Sequence, residues 1–178
     1  MRSLLAVARM IDAVNDRVGR AVAWLVLAAV LLSTGNAVSR YALHLSSNAW
    51  LEIQWYLFSA IFLLAAGYTL QHDGHVRIDI LYGRYPPRVR AWIDILGALF
   101  FLMPMALLIL YLSWPVFMQS YSGHEMSGDA GGLIRWPVKL LMPLGFALLV
   151  LQGVSQIVKR AAYLRGEAPL DEGVREPA

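Results

Sequence analysis

The residues that could carry cofactor or metal chemistry lie outside the long apolar segments of this sequence. The four histidines, His44, His72, His75 and His124, fall between those segments or at their ends. Haem held by two histidines would need both of them inside facing segments, and the absence of cysteine removes thiolate metal sites. We therefore predict neither a cofactor nor a bound metal.

Two acidic residues, Glu52 and Asp94, lie just inside apolar segments and are candidates for a functional charge. An ionisable group within a membrane span is a functional candidate by default, although the cost of its charge falls near the ends of the span. Several roles remain open for both residues: a contact to headgroups or to another subunit, an ion pair within the chain, or coupling to an ion or substrate. Arg40 is the suggested ion-pair partner of Glu52.

Small and polar residues inside apolar segments predict helix packing. Residues 33–36 read Ser-Thr-Gly-Asn, and Gln152 and Gln156 are one helical turn apart. Such residues let helices approach closely and form hydrogen bonds across an interface in a membrane.

Enzyme and pump motifs are missing from the sequence. It has no G-x-x-x-x-G-K-[ST] phosphate-binding loop, no series of carboxylates in the middle of an apolar segment and no nucleophile beside a suitable base. The sequence therefore predicts a scaffold and not an enzyme.

The elements that would hold these residues are four long apolar segments. Hydrophobic residues make up 58% of the chain and charged residues 15%, against about 25% charged in an average soluble domain. Runs of 19, 20, 30 and 19 residues contain no Asp, Glu, Lys or Arg, and a helix needs about 20 apolar residues to cross a bilayer. We predict an all-α integral membrane protein with four transmembrane helices, at about 21–41, 50–71, 91–114 and 137–158.

The basic residues predict the orientation in the membrane. Twelve of the 15 lie in three segments, 2–20, 77–90 and 159–175, which a four-span chain places on one side. The remaining three, Arg40, Arg135 and Lys139, lie on the other side. Because basic residues concentrate in cytoplasmic loops, both termini are predicted to be cytoplasmic. Short basic clusters of this kind do not indicate nucleic-acid binding.

The two ends of the chain are predicted to lie outside the four-helix domain of residues 21–165. Residues 3–20 repeat apolar residues at helical spacing. They fit either an amphipathic helix on the lipid surface or a cytoplasmic extension of the first span. Residues 166–178 are charged and contain proline, so we predict a disordered cytoplasmic tail.

An ordered set of short motifs resembles the small membrane subunit of tripartite ATP-independent periplasmic (TRAP) transporters, from about residue 12 to 166. The departure from the family pattern is Ile53, where many members carry a second acid after Glu52. The matching residues are Asn36, Arg40 and Tyr41; Trp50 and Glu52; His75 to Asp79; Glu125 to Ser127; Arg135 to Pro137 with Lys139; and Pro143 to Phe146.

This resemblance implies a non-catalytic subunit that braces a large membrane subunit. A periplasmic binding protein would deliver an organic acid, a carboxylate or sulfonate, whose uptake an ion gradient drives. Alternatives are a subunit of a redox or cofactor-binding membrane complex and a self-sufficient small transporter. The candidate structural or subunit-interface residues are Asn36, Arg40, Glu52, Asp94, Glu125, Trp136 and Lys139.

Overall fold

The computed structural model describes residues 2–45, 47–74 and 82–169, and within these ranges the chain is helical without any strand. The motif at 75–79 and most of the predicted tail lie outside the described residues. Four helices are long and apolar enough to cross a membrane: α1 (Arg2–Ala42), α2 (Asn48–Gln71), α3 (Pro87–Ser122) and α4 (Trp136–Leu164). The prediction of an all-helical chain with four such helices is confirmed.

Two of these helices have a proline in their first turn, and a third proline follows a short π-helical segment inside α3. Pro87 begins α3, and Pro137 lies in the first turn of α4, where the missing N–H of proline costs nothing. Within α3, residues Ala98–Leu102 are π-helical and directly precede Met103 and Pro104. A proline ring crowds the carbonyl four residues earlier, and the wider π turn relieves that contact.

Helix α4 is the central helix of the bundle, since it packs against each of the other three. Small residues permit the close approach: a Cβ placed on Gly145 would lie 2.6 Å from the backbone oxygen of Leu63 in α2. The buried apolar residues are mostly alanines, whereas Phe62 and Phe101 are 80% and 78% exposed. Large apolar side chains outside and small ones inside are the pattern expected where lipid replaces water as the solvent.

The N-terminal segment continues the first span without a break, because α1 is one helix of 41 residues. Its first half packs against α4 and buries Ala8 and Asn15. For residues 3–20 the sequence allowed a helix on the lipid surface or an extension of the first span, and a continuous helix α1 corresponds to the extension. A contact between this segment and the lipid surface stays a prediction.

The two ends of the bundle differ in their connections. We call the end with residues 43–45 and 123–135 the hairpin end. The opposite end, near Arg2 of α1 and Leu164 of α4, is the terminal end. Helix α3 extends to Ser122, beyond the predicted end of the third span near residue 114, so the connection to α4 is shorter than predicted.

Candidate functional site

The connection between α3 and α4 folds back on itself as a short hairpin, residues 125–135. Ser127 N donates to Leu133 O at 2.9 Å, and Arg135 N donates to Glu125 O at 2.9 Å. Met126 and Ile134 form an antiparallel bridge between these two hydrogen bonds. The hairpin therefore has a defined backbone, although three of its residues are glycines.

One face of α2 binds this hairpin along its length. Asn48, Glu52 and Tyr56 are four residues apart and so lie on the same side of the helix. Asn48 Nδ2 donates to Ala130 O at 3.1 Å, and Tyr56 Oη donates to Ile134 O at 3.0 Å. Glu52 lies between them and accepts hydrogen bonds from the middle of the hairpin.

Glu52 is the central acceptor of the site and is only 3% exposed. Its Oε1 accepts a hydrogen bond from Ser127 Oγ, and its Oε2 accepts one from Leu133 N at 2.6 Å. Arg135 Nη2 donates to the same Ser127 oxygen at 3.2 Å, and the Arg135 guanidinium lies 5.9 Å from the ring centre of Trp55. The carboxylate thus joins α2 to both sides of the hairpin, with the Arg135 guanidinium close by.

The base of the hairpin is tied to the start of α4. Lys139 Nζ donates to Glu125 Oε2 and forms an ion pair with it. This hydrogen bond holds the pKa of the Glu125 carboxyl below its ordinary value, with a smaller contribution from Ser120. Next to the pair, the Trp136 ring packs edge-on against Tyr121 at 5.5 Å.

The suggested ion pair between Glu52 and Arg40 is wrong. The hairpin supplies the hydrogen-bond donors of both Glu52 carboxylate oxygens. Arg40 is exposed near the end of α1, and no ion pair within the described part of the chain includes it. The sequence could not reveal this, because Ser127 and Leu133 are 75 and 81 residues away from Glu52.

Asp94 belongs to a separate cluster at the terminal end. Its Oδ2 lies 3.0 Å from Arg160 Nε of α4, and Tyr82 Oη donates to both carboxylate oxygens at 2.9 and 2.8 Å. A second carboxylate, that of Asp73, lies 3.7 Å from Arg160 Nη2. Of the roles left open for Asp94, the pairing with a neighbour in the chain is therefore present.

A third polar cluster lies between α1 and α4, and of its members only Gln152 was expected to form hydrogen bonds between helices. Asp12 Oδ1 accepts from Gln152 Nε2 at 2.9 Å and from Ser155 Oγ at 2.7 Å, and its Oδ2 pairs with Lys159 Nζ at 2.9 Å. Asn15 Nδ2 donates to Gln152 Oε1 at 2.8 Å. The expected interhelical hydrogen bonding of Gln152 is confirmed. The spacing along α4 could have indicated this cluster, because Gln152, Ser155 and Lys159 lie on one face of a helix.

The predicted site residues therefore divide into three places. Four of them, Glu52, Glu125, Trp136 and Lys139, meet around the hairpin. Asp94 lies in the cluster of Arg160, while Asn36 and Arg40 lie on α1, outside both clusters.

The chemistry available to the hairpin site is the joining of helices. Its carboxylates are occupied by hydroxyl, amide and ammonium donors from neighbouring elements. Among the described residues, no group of three or more His, Asp or Glu side chains is placed to hold a metal ion. What the geometry supports is a rigid end of a helical bundle.

Comparison with known proteins gives one family. The model of the family described as "Tripartite ATP-independent periplasmic transporters, DctQ component" matches residues 29–162. This range covers the last part of α1, all of α2 and α3, and nearly all of α4. Searches of curated proteins and of solved structures gave no match.

Proposed function

Since this chain belongs to the DctQ family of tripartite ATP-independent periplasmic transporters, we propose that it is the non-catalytic scaffold subunit of a secondary transporter. The transporter imports an organic acid, a carboxylate or sulfonate, by symport with an ion whose gradient drives uptake. A large membrane subunit carries the transport path, and a periplasmic binding protein delivers the substrate.

The contacts of the polar side chains support a scaffold role. In the three clusters they join separate elements of the chain: Glu52 to the hairpin, Asp94 to Arg160, and Asp12 to three residues of α4. A transport subunit that moves substrate needs polar groups facing a path, whereas a brace needs them between its own helices. The chain also presents much large apolar surface, suited to lipid and to another membrane subunit.

The proposed location is the bacterial inner membrane, with both termini in the cytoplasm and the hairpin end in the periplasm. The support is the distribution of basic residues, twelve of which lie at the terminal end or in segments that connect there. In this orientation the hairpin faces the compartment of the binding protein.

Deletion of this chain tests the proposal. In cells that still make the large subunit and the binding protein, uptake of the substrate should be abolished or strongly reduced. A plasmid copy of the chain should restore it. Immunoblots of the large subunit would separate loss of transport from loss of that protein, and normal uptake without this chain would overturn the proposal.

A further inference from the structure

The buried side of α1 follows a seven-residue repeat that continues to a less buried position near the hairpin end. Ala8, Asn15, Val22 and Ala29 are spaced seven apart and are 2%, 0%, 4% and 2% exposed. The next position of the repeat is Asn36, which is half-buried. A seven-residue repeat is the signature of a helix face that contacts other helices throughout.

Two further polar residues share this face of α1. Ser33 is three residues before Asn36, and Arg40 is four residues after it, so the three form one stripe. We call Ser33, Asn36 and Arg40 the open seam. It lies in the half of α1 towards the hairpin end, whereas the hydrogen bonds between α1 and α4 involve residues 8–15 of α1.

The side chains of the open seam make no polar contact with the described part of their own chain. No side-chain hydrogen bond or ion pair there includes Ser33, Asn36 or Arg40. Two hydroxyls of α2 differ in this respect: Ser59 and Thr69 donate to backbone oxygens of their own helix at 2.8 and 3.0 Å. An amide and a hydroxyl without partners are costly at hydrocarbon depth, where no water is present to hydrate them.

We propose that a transmembrane helix of the large membrane subunit packs in the open seam. It supplies a hydrogen-bonding side chain to Asn36 and a carboxylate to Arg40. The inference rests on the proposed function, because that function provides the partner, and it adds the face of this chain that the partner occupies.

A lipid molecule and a second copy of this chain fit the seam less well. A lipid phosphate can reach Arg40, but Asn36 and Ser33 lie about 6 and 10 Å further along the helix, where only acyl chains are available. Acyl chains form no hydrogen bonds. Two parallel copies packed symmetrically through this face would bring the two Arg40 side chains together, and like charges repel.

Photo-crosslinking within the complex tests the location. A photoreactive benzoylphenylalanine is placed at Ser33 or Asn36 in the chain co-expressed with the large subunit. The matched control carries it at Thr34, an exposed position on another face of the same helix. Crosslinks to the large subunit should form from the two seam positions and be much weaker from Thr34.

Substitution tests the polar contacts themselves. Asn36→Leu and Arg40→Gln should each reduce the amount of large subunit that co-purifies, by about three- to tenfold for the loss of one interhelical polar contact. Thr34→Val, an isosteric change, should leave it at the wild-type level. The isolated variants should melt at the wild-type temperature, since the seam residues make no polar contact within the described chain.

The possible results separate the inference from the function on which it rests. Seam crosslinks only to lipid or to a second copy, or full co-purification of both variants, would overturn the proposed seam while the wild-type complex remained intact. Failure of the wild-type chain to co-purify with the large subunit would instead overturn the proposed function.

Discussion

Glu52 shows how one carboxylate can organise the end of a helical bundle. It accepts hydrogen bonds from the Ser127 hydroxyl and the Leu133 amide, which lie on opposite sides of the hairpin. A carboxylate offers only acceptors, which matches two donors that approach from different directions. The need for two acceptors explains why position 52 carries an acid and not an amide.

Replacing Glu52 by glutamine should loosen the hairpin. Glutamine offers one neutral acceptor oxygen in place of two charged ones, so the Leu133 amide either loses its partner or donates to a weaker acceptor. Hydrogen exchange at the Leu133 amide should become faster than in the wild type. Gln54→Glu is the control, because it changes the same pair of residue types on the same helix away from the hairpin. Unchanged exchange in Glu52→Gln would contradict the role given to the carboxylate.

The pair of Glu125 with Lys139 predicts a dependence on pH. The pKa of Glu125 is lower in the folded chain than in the unfolded one. The ion pair therefore stabilises the fold fully above the pKa of the unfolded state, about 4.3. This stabilisation is lost as the pH falls through the lower pKa of the folded state. The difference in melting temperature between wild type and Glu125→Gln in detergent should shrink from pH 7 to pH 3. A difference that stays constant would show that this pair does not contribute.

At the scale of elements, α4 organises the bundle because its small residues allow other helices to approach it. A Cβ on Gly145 would meet the Leu63 carbonyl of α2, and one on Gly153 would meet Leu102 of α3 at 3.0 Å. Helices in lipid associate through such close backbone contact and through interhelical hydrogen bonds, since apolar burial provides little drive there.

Gly145→Ala should destabilise the bundle. Its new Cβ would lie 2.6 Å from a backbone oxygen, so α2 and α4 must separate or shift. Overpacking of this kind costs about 1–3 kcal/mol, which would appear as a lower melting temperature in detergent. Gly97→Ala is the matched control, because a Cβ there meets nothing within 4 Å. Equal melting temperatures for both variants would contradict the close packing of α2 against α4.

The packing of elements also decides between the two alternatives for the N-terminal segment, residues 3–20. Its pattern of apolar and charged residues equally fits a helix on the lipid surface and a helix that continues into span one. In the fold, Asp12 and Asn15 meet Gln152 of α4, so the polar side of the segment includes residues used for packing. A hydrophobic pattern could not distinguish these cases, because it does not record which polar residues face another helix.

At the scale of the whole molecule, the hairpin end and the terminal end should lie on opposite sides of the membrane. Because the chain has no cysteine, single cysteines can report their side without background. A membrane-impermeant maleimide added to intact spheroplasts should label Gly128→Cys in the hairpin and leave Glu167→Cys unlabelled until the membrane is opened. The reverse pattern would invert the proposed orientation.

The sequence by itself determined the number and type of the membrane-spanning elements. Spanning a bilayer requires about 20 consecutive residues with few charges, and that requirement can be counted along the chain. It also marked Glu52 of the hairpin site, because charged residues are rare inside apolar segments, while Glu125 and Lys139 were marked by the resemblance to the TRAP small subunit.

Only the tertiary structure decided how these residues are partnered. The fold gave Glu52 the hairpin in place of Arg40, joined Asp94 to Arg160, and brought Asp12 against α4. Each of these contacts joins positions far apart in the chain, and a polar side chain in lipid takes whichever donor or acceptor the packing of helices brings within reach. The spans follow from local composition, but the partners follow from the packing of whole helices.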